Sequence, residues 1–211
     1  MGPVPDDGDG GPHVIRVPRP APSSGPAPAL LLRPWWPEDA AGLVAVYRDA
    51  ALRRWTSGAV DDEAGARRWI EAQRHGWETG ERCAFAVVEE PGASSSGRQP
   101  PVVGRVVGHV VLKGLDATGS FGRAEVGYWT AAHARGRGVA SRALEALAGW
   151  AFTAFAGAGL QRLELLHQSD NTASCRVARK CRFDPVGVVS AAPPAFPLDG
   201  HLHARERYGG S

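Results

Sequence analysis

The chain of 211 residues carries 24 basic and 22 acidic side chains, a formal net charge of +2, and 43% hydrophobic residues. This length and composition are typical of one globular domain, and the nearly balanced charge argues against a nucleic-acid-binding protein. No apolar run reaches the roughly 18 residues of a membrane span, and residues 1–9 lack the features of a secretory signal. We therefore expect a cytoplasmic protein without membrane partners, either a monomer or a homodimer.

Residues 1–28 are dense in Pro, Gly and Ser, and such a segment buries too little apolar surface to offset the entropy of ordering it. We expect a disordered tail over 1–28 and a single folded domain over 29–211. A second segment of this kind, EPGASSSGRQPP over 90–101, separates two strand-like runs. It is typical of an enlarged hairpin loop.

Between these segments the hydrophobic pattern alternates between period two and the helical period of 3.6. Pro37 suits the first position of a helix, and Asp61 or Asp62 suits a helix N-cap. The predicted elements, in chain order, are strand 30–33, helices 37–52 and 61–77, strands 83–89, 102–113 and 124–130, helix 139–155, strand 162–167, helix 171–181, and strands 183–189 and 201–208. This order predicts an α/β fold whose mixed, mostly antiparallel sheet of about seven strands is flanked by helices.

The segment RGRGVA over 135–140 follows a predicted strand and opens the strongest predicted helix. Its glycines allow close backbone approach, and the free N–H groups of the first helical turn form a site suited to phosphate. A Walker A loop would need a following lysine, and a dinucleotide fingerprint would need Gly or Ala where Ser141 stands. The alternative is a plain strand–helix turn with solvated arginines.

The three cysteines, Cys83, Cys175 and Cys181, cannot all pair with one another, and without an export signal we expect reduced thiols. The sequence has no CxxC motif, and no Cys–His cluster is apparent from the spacing. We therefore expect no metal site.

Three blocks of the sequence carry a family resemblance, namely AEVGYWT over 124–130, RGRGVA over 135–140 and DNTASCRVARKCRF over 170–183. Together they resemble the GNAT acetyltransferases. The spacing Arg135-x-x-Gly138-x-Ala140 matches their Q/R-x-x-G-x-G/A signature, and AEVGYWT over 124–130 looks like their fourth strand. The segment DNTASCRVARKCRF over 170–183 is similar to the DNxxSxxVxxKxGF helix of the RimJ/RimL-type enzymes. The resemblance spans 30–208 and implies the GNAT fold, in which the fourth and fifth strands splay apart, and an N-acetyltransferase that uses acetyl-CoA.

The resemblance also implies where acetyl-CoA would bind. The turn would hold the pyrophosphate, the fourth strand would pair with the pantetheine arm, and an N–H near Trp129 or Thr130 would polarise the thioester carbonyl. Asn171 would hydrogen-bond the pantetheine. The implied cofactor-binding residues are Val126, Tyr128, Trp129, Thr130, Arg135, Gly136, Arg137, Gly138, Val139, Ala140, Ser141 and Asn171.

For the transfer step, the resemblance favours Glu125 as general base, in a buried setting that would raise its pKa, with His109 and Glu164 as alternatives. The tyrosine that many GNAT enzymes use as general acid is replaced by Ala178, so the implied acid is Ser174, unless water protonates the thiolate. A covalent acetyl-Cys175 is disfavoured, because no paired base is evident.

Two further details bear on the site. Arg182 stands where the family has a glycine, and because arginine in the left-handed region costs about 1 kcal/mol, we expect a reshaped helix end. His201 and His203 alternate to one face of the last strand, where surface positions are expected in preference to the acceptor cleft.

The resemblance leaves the acceptor open, as either a protein N-terminus or a small amine such as a polyamine or an aminoglycoside. A polycation would need an acidic pocket, which only the local cluster Asp61, Asp62 and Glu63 could supply. The alternative function is a non-catalytic domain of GNAT type that binds acyl-CoA as a sensor or scaffold, and a longer acyl donor is a third option.

Overall fold

One sheet of eight strands, in the order β1-β2-β3-β4-β5-β6-β8-β7, forms the centre of the fold. The computed structural model describes residues 13–20, 27–56, 60–90, 104–115, 122–194 and 197–207. The strands are β1 (Ile15–Val17), β2 (Leu30–Pro34), β3 (Arg82–Glu89), β4 (Val106–Lys113), β5 (Arg123–Thr130), β6 (Arg162–Gln168), β7 (Asp184–Val189) and β8 (Gly200–Glu206). The helices are α1 (Ala40–Tyr47), α2 (Ala50–Trp55), α3 (Glu63–Thr79), α4 (Val139–Ala154) and α5 (Thr172–Lys180).

Every neighbouring pair of strands is antiparallel except β5 and β6, which are parallel. The prediction of a mixed, mostly antiparallel sheet flanked by helices is confirmed. β3 and β4 pair directly, but their connection over 91–103 lies outside the described residues, as does most of the predicted loop 90–101. None of the helices in the described ranges has the length and apolarity of a membrane span.

The sheet separates two apolar cores. α4 and α5 cover one face, where Leu144, Leu147 and Phe183 are buried. The N-terminal helices cover the other face, where Trp35, Leu43 and Ile70 are buried. The alternating side chains of the central strands supply both cores, which explains why β3 and β4 are apolar on both faces.

The helix predicted over 37–52 is divided in the structure. A short 3-10 turn over Pro37–Asp39 leads into α1, and α2 begins anew after Asp49. The Asp49 carboxylate accepts a hydrogen bond from the Ala51 amide at 3.2 Å, so an N-cap inside the apolar pattern ends one helix and starts the next. The predicted cap at Asp62 is confirmed, since its carboxylate accepts from the Gly65 amide at 2.6 Å.

The C-terminal end of α5 keeps the geometry of a glycine cap although Arg182 occupies the position. Arg182 has φ 57°, and the Phe183 amide donates to the Ala178 carbonyl at 3.0 Å. This is the Schellman pattern, in which the hydrophobic residue after the cap packs inward. Phe183 is fully buried, and its burial offsets the strain at Arg182. The prediction of a reshaped helix end is therefore wrong.

The disordered-tail prediction is wrong for residues 13–20. Ile15–Val17 forms β1, which pairs antiparallel with β2 through Val17↔Leu30 and its neighbours. Val17 is buried, and the Arg142 guanidinium of α4 donates to the Pro18 carbonyl at 2.9 Å. Residues 1–12 and 21–26 of the predicted tail lie outside the described residues.

A chain that begins at residue 21 should melt at a lower temperature than a chain that begins at residue 13. The shorter chain lacks β1, and its absence exposes the edge of β2 and the apolar side chains that Val17 covers. Burial of one such side chain is worth about 2 kcal/mol, so we expect Tm to fall by roughly 4–8 °C. Differential scanning calorimetry of the two chains measures the effect of β1 alone, and equal melting temperatures would contradict its structural role.

Candidate active site

A cleft opens where β5 and β6 diverge, and these are the strands predicted over 124–130 and 162–167. The two strands are in register only from Arg123↔Arg162 to Glu125↔Glu164, and each then continues without the other. The cleft has a volume of about 800 Å³, and residues of both strands, of the N-terminal helices, of the turn before α4 and of α5 line it. It lies at the carboxyl ends of parallel strands, where open α/β sheets bind ligands.

The turn before α4 closes one end of this cleft. Gly136 and Gly138 have φ values of 75° and 71°, a conformation that glycine adopts without strain. The first hydrogen bond of α4 runs from the Arg142 amide to the Gly138 carbonyl at 3.1 Å. The amides of Val139, Ala140 and Ser141 therefore precede the helical ladder and form the positive end of the helix dipole. An anion in the cleft would meet them.

Carboxylates neutralise both arginines of the turn, which are therefore neither free charges for an anion nor purely solvated. Arg135 pairs with Asp49, and Arg137 pairs with Glu89 at 2.6 Å. Two other cations, Arg176 and Lys180, line the cleft from α5. The sequence could have predicted that these two cations share a face, because Ala173, Arg176 and Lys180 follow one another at intervals of one helical turn on α5.

Alternate backbone groups of β5 face the gap that opens between β5 and β6. The Ala131 amide donates to the Val107 carbonyl, on the β4 side, at 2.9 Å. Because backbone direction alternates along a strand, the N–H groups of Val126, Tyr128 and Thr130 point toward β6, with which the register has already ended at Glu125. The Trp129 amide points toward β4, so of the two amides expected near a thioester only that of Thr130 faces the gap.

Glu125 lies at the point of divergence, but its setting differs from the expected buried one. Its carboxylate forms an ion pair with Lys113 at 2.7 Å, and 41% of its side chain is exposed. Its register partner Glu164 forms an ion pair with Arg162 at 2.8 Å. Of the two carboxylates, Glu125 lines the cleft.

His109 is a structural residue of the aromatic core. Its Nδ1 accepts a hydrogen bond from the Trp35 indole N–H at 3.1 Å, and its ring stacks on Trp129 at 5.6 Å. Burial lowers its pKa to about 3, so the ring is neutral at physiological pH. With Nδ1 already accepting, His109 has no lone pair for a proton from a substrate.

Comparisons with known proteins agree with this geometry. The profile of the acetyltransferase (GNAT) domain matches residues 29–184, well over half of the chain. The chain belongs to the GNAT acetyltransferase family. It is accordingly an acyltransferase enzyme. No curated protein matches its sequence.

Solved GNAT structures share the fold. The microcin C7 self-immunity acetyltransferase MccE, in complex with acetyl-CoA and AMP, is 16% identical, with a TM-score of 0.69 over 84% of this chain and 92% of that chain. RimL, a ribosomal L7/L12 alpha-N-protein acetyltransferase in complex with coenzyme A, is 19% identical, with a TM-score of 0.68 over 84% and 93%. RimJ from Mycobacterium smegmatis, in complex with a coenzyme A disulfide, is 22% identical, with a TM-score of 0.69 over 92% and 86%.

In this GNAT enzyme, residues at the start of α5 form one wall of the cleft. The Asn171 carboxamide oxygen accepts from the Ser174 amide at 3.1 Å and caps α5, so only its NH2 group remains to donate to a ligand. The phenol of Tyr128 on β5 reaches the Ser174 carbonyl at 3.5 Å. Burial raises the pKa of Tyr128 to about 12, so the phenol keeps its proton. Ala178, in the position of the usual GNAT tyrosine, is buried in the core.

Beside this wall the fold assembles a group that the spacing did not reveal. His167, Cys175, His201 and His203 place one metal-binding atom each within 4.8 Å of one another. His203 is 2% exposed and not a surface residue as expected. Burial lowers the pKa values of His167 and His203, which favours neutral imidazoles. The prediction that no Cys–His cluster occurs is therefore wrong, and Cys175 does have histidine neighbours.

Proposed function

We propose that the enzyme transfers the acetyl group of acetyl-CoA to a primary amine by direct attack in a ternary complex. The observation that carries the proposal is the cleft between β5 and β6, which opens after a three-residue register and ends at the N-terminus of α4. A gap with an unpaired strand edge suits an extended amide-containing arm, and a helix N-terminus suits its pyrophosphate.

The chain's own groups would hold acetyl-CoA along this path. The amides from Arg137 to Ser141 would bind the pyrophosphate, and Arg176 and Lys180 would add charge for the nucleotide phosphates. The β6-facing amides of Val126, Tyr128 and Thr130 would pair with the pantetheine. One of these amides near the thioester would donate to its carbonyl oxygen, where negative charge develops during attack.

Glu125 would accept the proton that the amine loses. The neutral amine adds to the thioester carbonyl carbon, and the tetrahedral intermediate then expels the thiolate of coenzyme A. Glu125 is the carboxylate that lines the cleft at the divergence point, and the side chain is exposed enough to act through a water. His109 also lines the cleft, but its Nδ1 accepts from Trp35, which disfavours it as the base. Glu164 is held by Arg162 outside the cleft lining.

Ser174 and Tyr128 would stabilise the departing thiolate. Both line the cleft on adjoining elements. A thiol has a pKa of about 8.5, so complete proton transfer from a phenol with a pKa of about 12 is unfavourable. Tyr128 would therefore turn its O–H from the Ser174 carbonyl and donate a hydrogen bond to the thiolate. The proton would reach sulfur from water, either directly or through the Ser174 hydroxyl, which would take a proton from that water as it gives up its own.

The charge of the cleft indicates what kind of amine it accepts. Among the described residues that line it, Glu125 is the single carboxylate, and Lys113 already neutralises it. Asp49 neutralises Arg135, and Arg176 and Lys180 would serve the coenzyme A phosphates, so Arg82 is the cation that remains for the acceptor to meet. The acidic cluster considered from the sequence is engaged elsewhere, since Asp61 pairs with Arg53 and Glu63 with Arg67. A polycation would meet like charge here. A peptide N-terminus or a small monoamine fits better.

An amine panel tests this function. With acetyl-CoA and enzyme, we expect release of the coenzyme A thiol to depend on added amine, and to be faster with a peptide N-terminus or a monoamine than with a polyamine or an aminoglycoside. A preference for the polycations would contradict the acceptor class. Acetyl-CoA binding without amine-dependent release would contradict catalysis and favour the sensor or scaffold function.

A further inference from the structure

The side chains of His167, Cys175, His201 and His203 come together from three elements. His167 on β6 is the register partner of His201 on β8, His203 lies two residues further along β8, and Cys175 faces them from α5. The separations along the chain match no local metal motif. Only the pairing of β6 with β8 and the docking of α5 create the group.

The distances within the cluster fit a tetrahedral metal site. With Zn–S of about 2.3 Å and Zn–N of about 2.0–2.1 Å, tetrahedral geometry places sulfur and nitrogen about 3.5 Å apart. Cys175 Sγ lies 3.5 Å from His167 Nε2 and 3.4 Å from His201 Nδ1. All four candidate ligand atoms lie within 4.8 Å of one another. The atoms that are farthest apart would therefore have to approach by about 1 Å to reach tetrahedral distances.

Two of the imidazoles are already oriented by hydrogen bonds to backbone carbonyls. His167 Nδ1 lies 2.9 Å from the Gln168 oxygen, and His203 Nδ1 lies 3.3 Å from the Phe183 oxygen. In each ring the proton then belongs on Nδ1, which leaves the lone pair of Nε2 free to bind a metal. This is the arrangement by which proteins fix the tautomer of a metal-binding histidine. The Nε2 atom of His167 faces Cys175 Sγ at 3.5 Å.

An unsatisfied atom adds independent evidence. His203 Nε2 is buried, in a residue that is only 2% exposed, and it has no hydrogen-bond partner among the residues that the structure describes. A buried acceptor without a partner is costly. The single thiol proton of Cys175 cannot satisfy all the surrounding imidazole lone pairs, whereas one cation would satisfy each of them.

We propose that His167 Nε2, Cys175 Sγ, His201 Nδ1 and His203 Nε2 bind one Zn²⁺ ion. A thiolate and three imidazoles are ligands that zinc prefers, and four protein ligands make a closed site with a structural role. The ion would fasten α5 to β6 and β8. Because Ser174 adjoins Cys175, it would also fix the α5 wall of the cleft.

Zinc titration of the metal-stripped full chain, with a non-thiol reductant, tests the site. We expect one Zn²⁺ per chain in isothermal calorimetry, and a rise in Tm that a chelator reverses. Cys175→Ser and His203→Ala should each lower zinc affinity on the order of 100-fold or more. His75→Ala, which changes an exposed histidine of α3, is the matched control and should bind zinc as the parent does.

Cobalt substitution provides a second readout that does not depend on how well a variant tolerates the loss of a buried ring. The Co²⁺ form should show the intense visible bands of tetrahedral coordination and a thiolate charge-transfer band, and Cys175→Ser should lose only the latter. Failure of the parent chain to bind zinc, or equal binding by the Cys175 and His203 variants, would overturn the proposal. Acetylation of Cys175 by acetyl-CoA without zinc affinity would reassign the cluster to a Cys–His nucleophile.

Discussion

Replacing Gly138 by aspartate should abolish acetyl-CoA binding while the fold persists. Gly138 has φ 71°, which costs a side-chain-bearing residue about 1 kcal/mol. The nearest atoms that a Cβ would meet are 3.9 Å away, so the fold has room for the substitution. The new carboxylate would lie beside the first-turn amides of α4 and would compete with the pyrophosphate for them. We expect calorimetry to show at least a roughly 100-fold loss of affinity, about 2.7 kcal/mol.

Gly149→Asp is the matched control for this change. Gly149 lies in the same helix and is exposed, and no atom of the described part of the chain comes within 4 Å of its Cβ position. It receives the same charge far from the turn, so acetyl-CoA affinity should stay within a factor of about two. Equal affinities for the two aspartate variants would contradict the assignment of the turn as the phosphate site.

Replacing Glu125 by glutamine should lower kcat on the order of 100-fold, because a positioned general base contributes about 10²–10⁴ to the rate. The substitution keeps the side-chain shape and removes the proton acceptor at the divergence of β5 and β6. It also frees Lys113 from its ion pair, an exposed contact of small energetic value. We expect the KM for acetyl-CoA to change little, since Glu125 lies away from the turn.

Glu164→Gln separates the role of Glu125 from a general effect of charge. Glu164 is the register partner of Glu125 and is also paired with a cation, but it is not part of the cleft lining. Its variant should retain kcat within a few-fold. If the two glutamine variants lose kcat equally, or if only Glu164→Gln does, Glu125 is not the base.

The strand–turn–helix unit around β5 and α4 was predictable because its signals are local. The unit spans only 123–154, and it contains the alternation of β5, the glycines at 136 and 138 and the apolar stripe of α4. The α5 block was predictable for the same reason. Such short-range patterns also implied the sheet class and the flanking helices.

β1 was missed because its signal is weak. Only three residues pair, and prolines at 12 and 18 flank them within a segment rich in glycine and proline. Its stability comes from partners distant in sequence, namely Leu30–Leu32 of β2 and Arg142 of α4. The capacity of Arg182 to cap α5 depends likewise on the burial of Phe183, which the sequence does not show directly.

The chemical setting of the site residues was the least predictable part. That Lys113 faces Glu125 follows from the β4–β5 register. That Trp35 donates to His109 depends on how Trp35, which follows β2, packs against β4. The histidine–cysteine cluster needs both the β6–β8 register and the position of α5. Each is a long-range contact set by tertiary structure, and no spacing along the chain encodes it.

The melting temperature of the protein with and without saturating acetyl-CoA tests most directly whether the cleft is an acyl-CoA site. At about 100 times Kd, a ligand that binds only the folded state stabilises it by roughly 2.7 kcal/mol, and for a chain of this length that is a rise of roughly 5–10 °C. We expect such a rise for the parent chain and at most about 1–2 °C for Gly138→Asp at the same ligand concentration. An unchanged Tm with acetyl-CoA, free coenzyme A and longer acyl-CoAs would contradict the assignment of the cleft and of the transferase function.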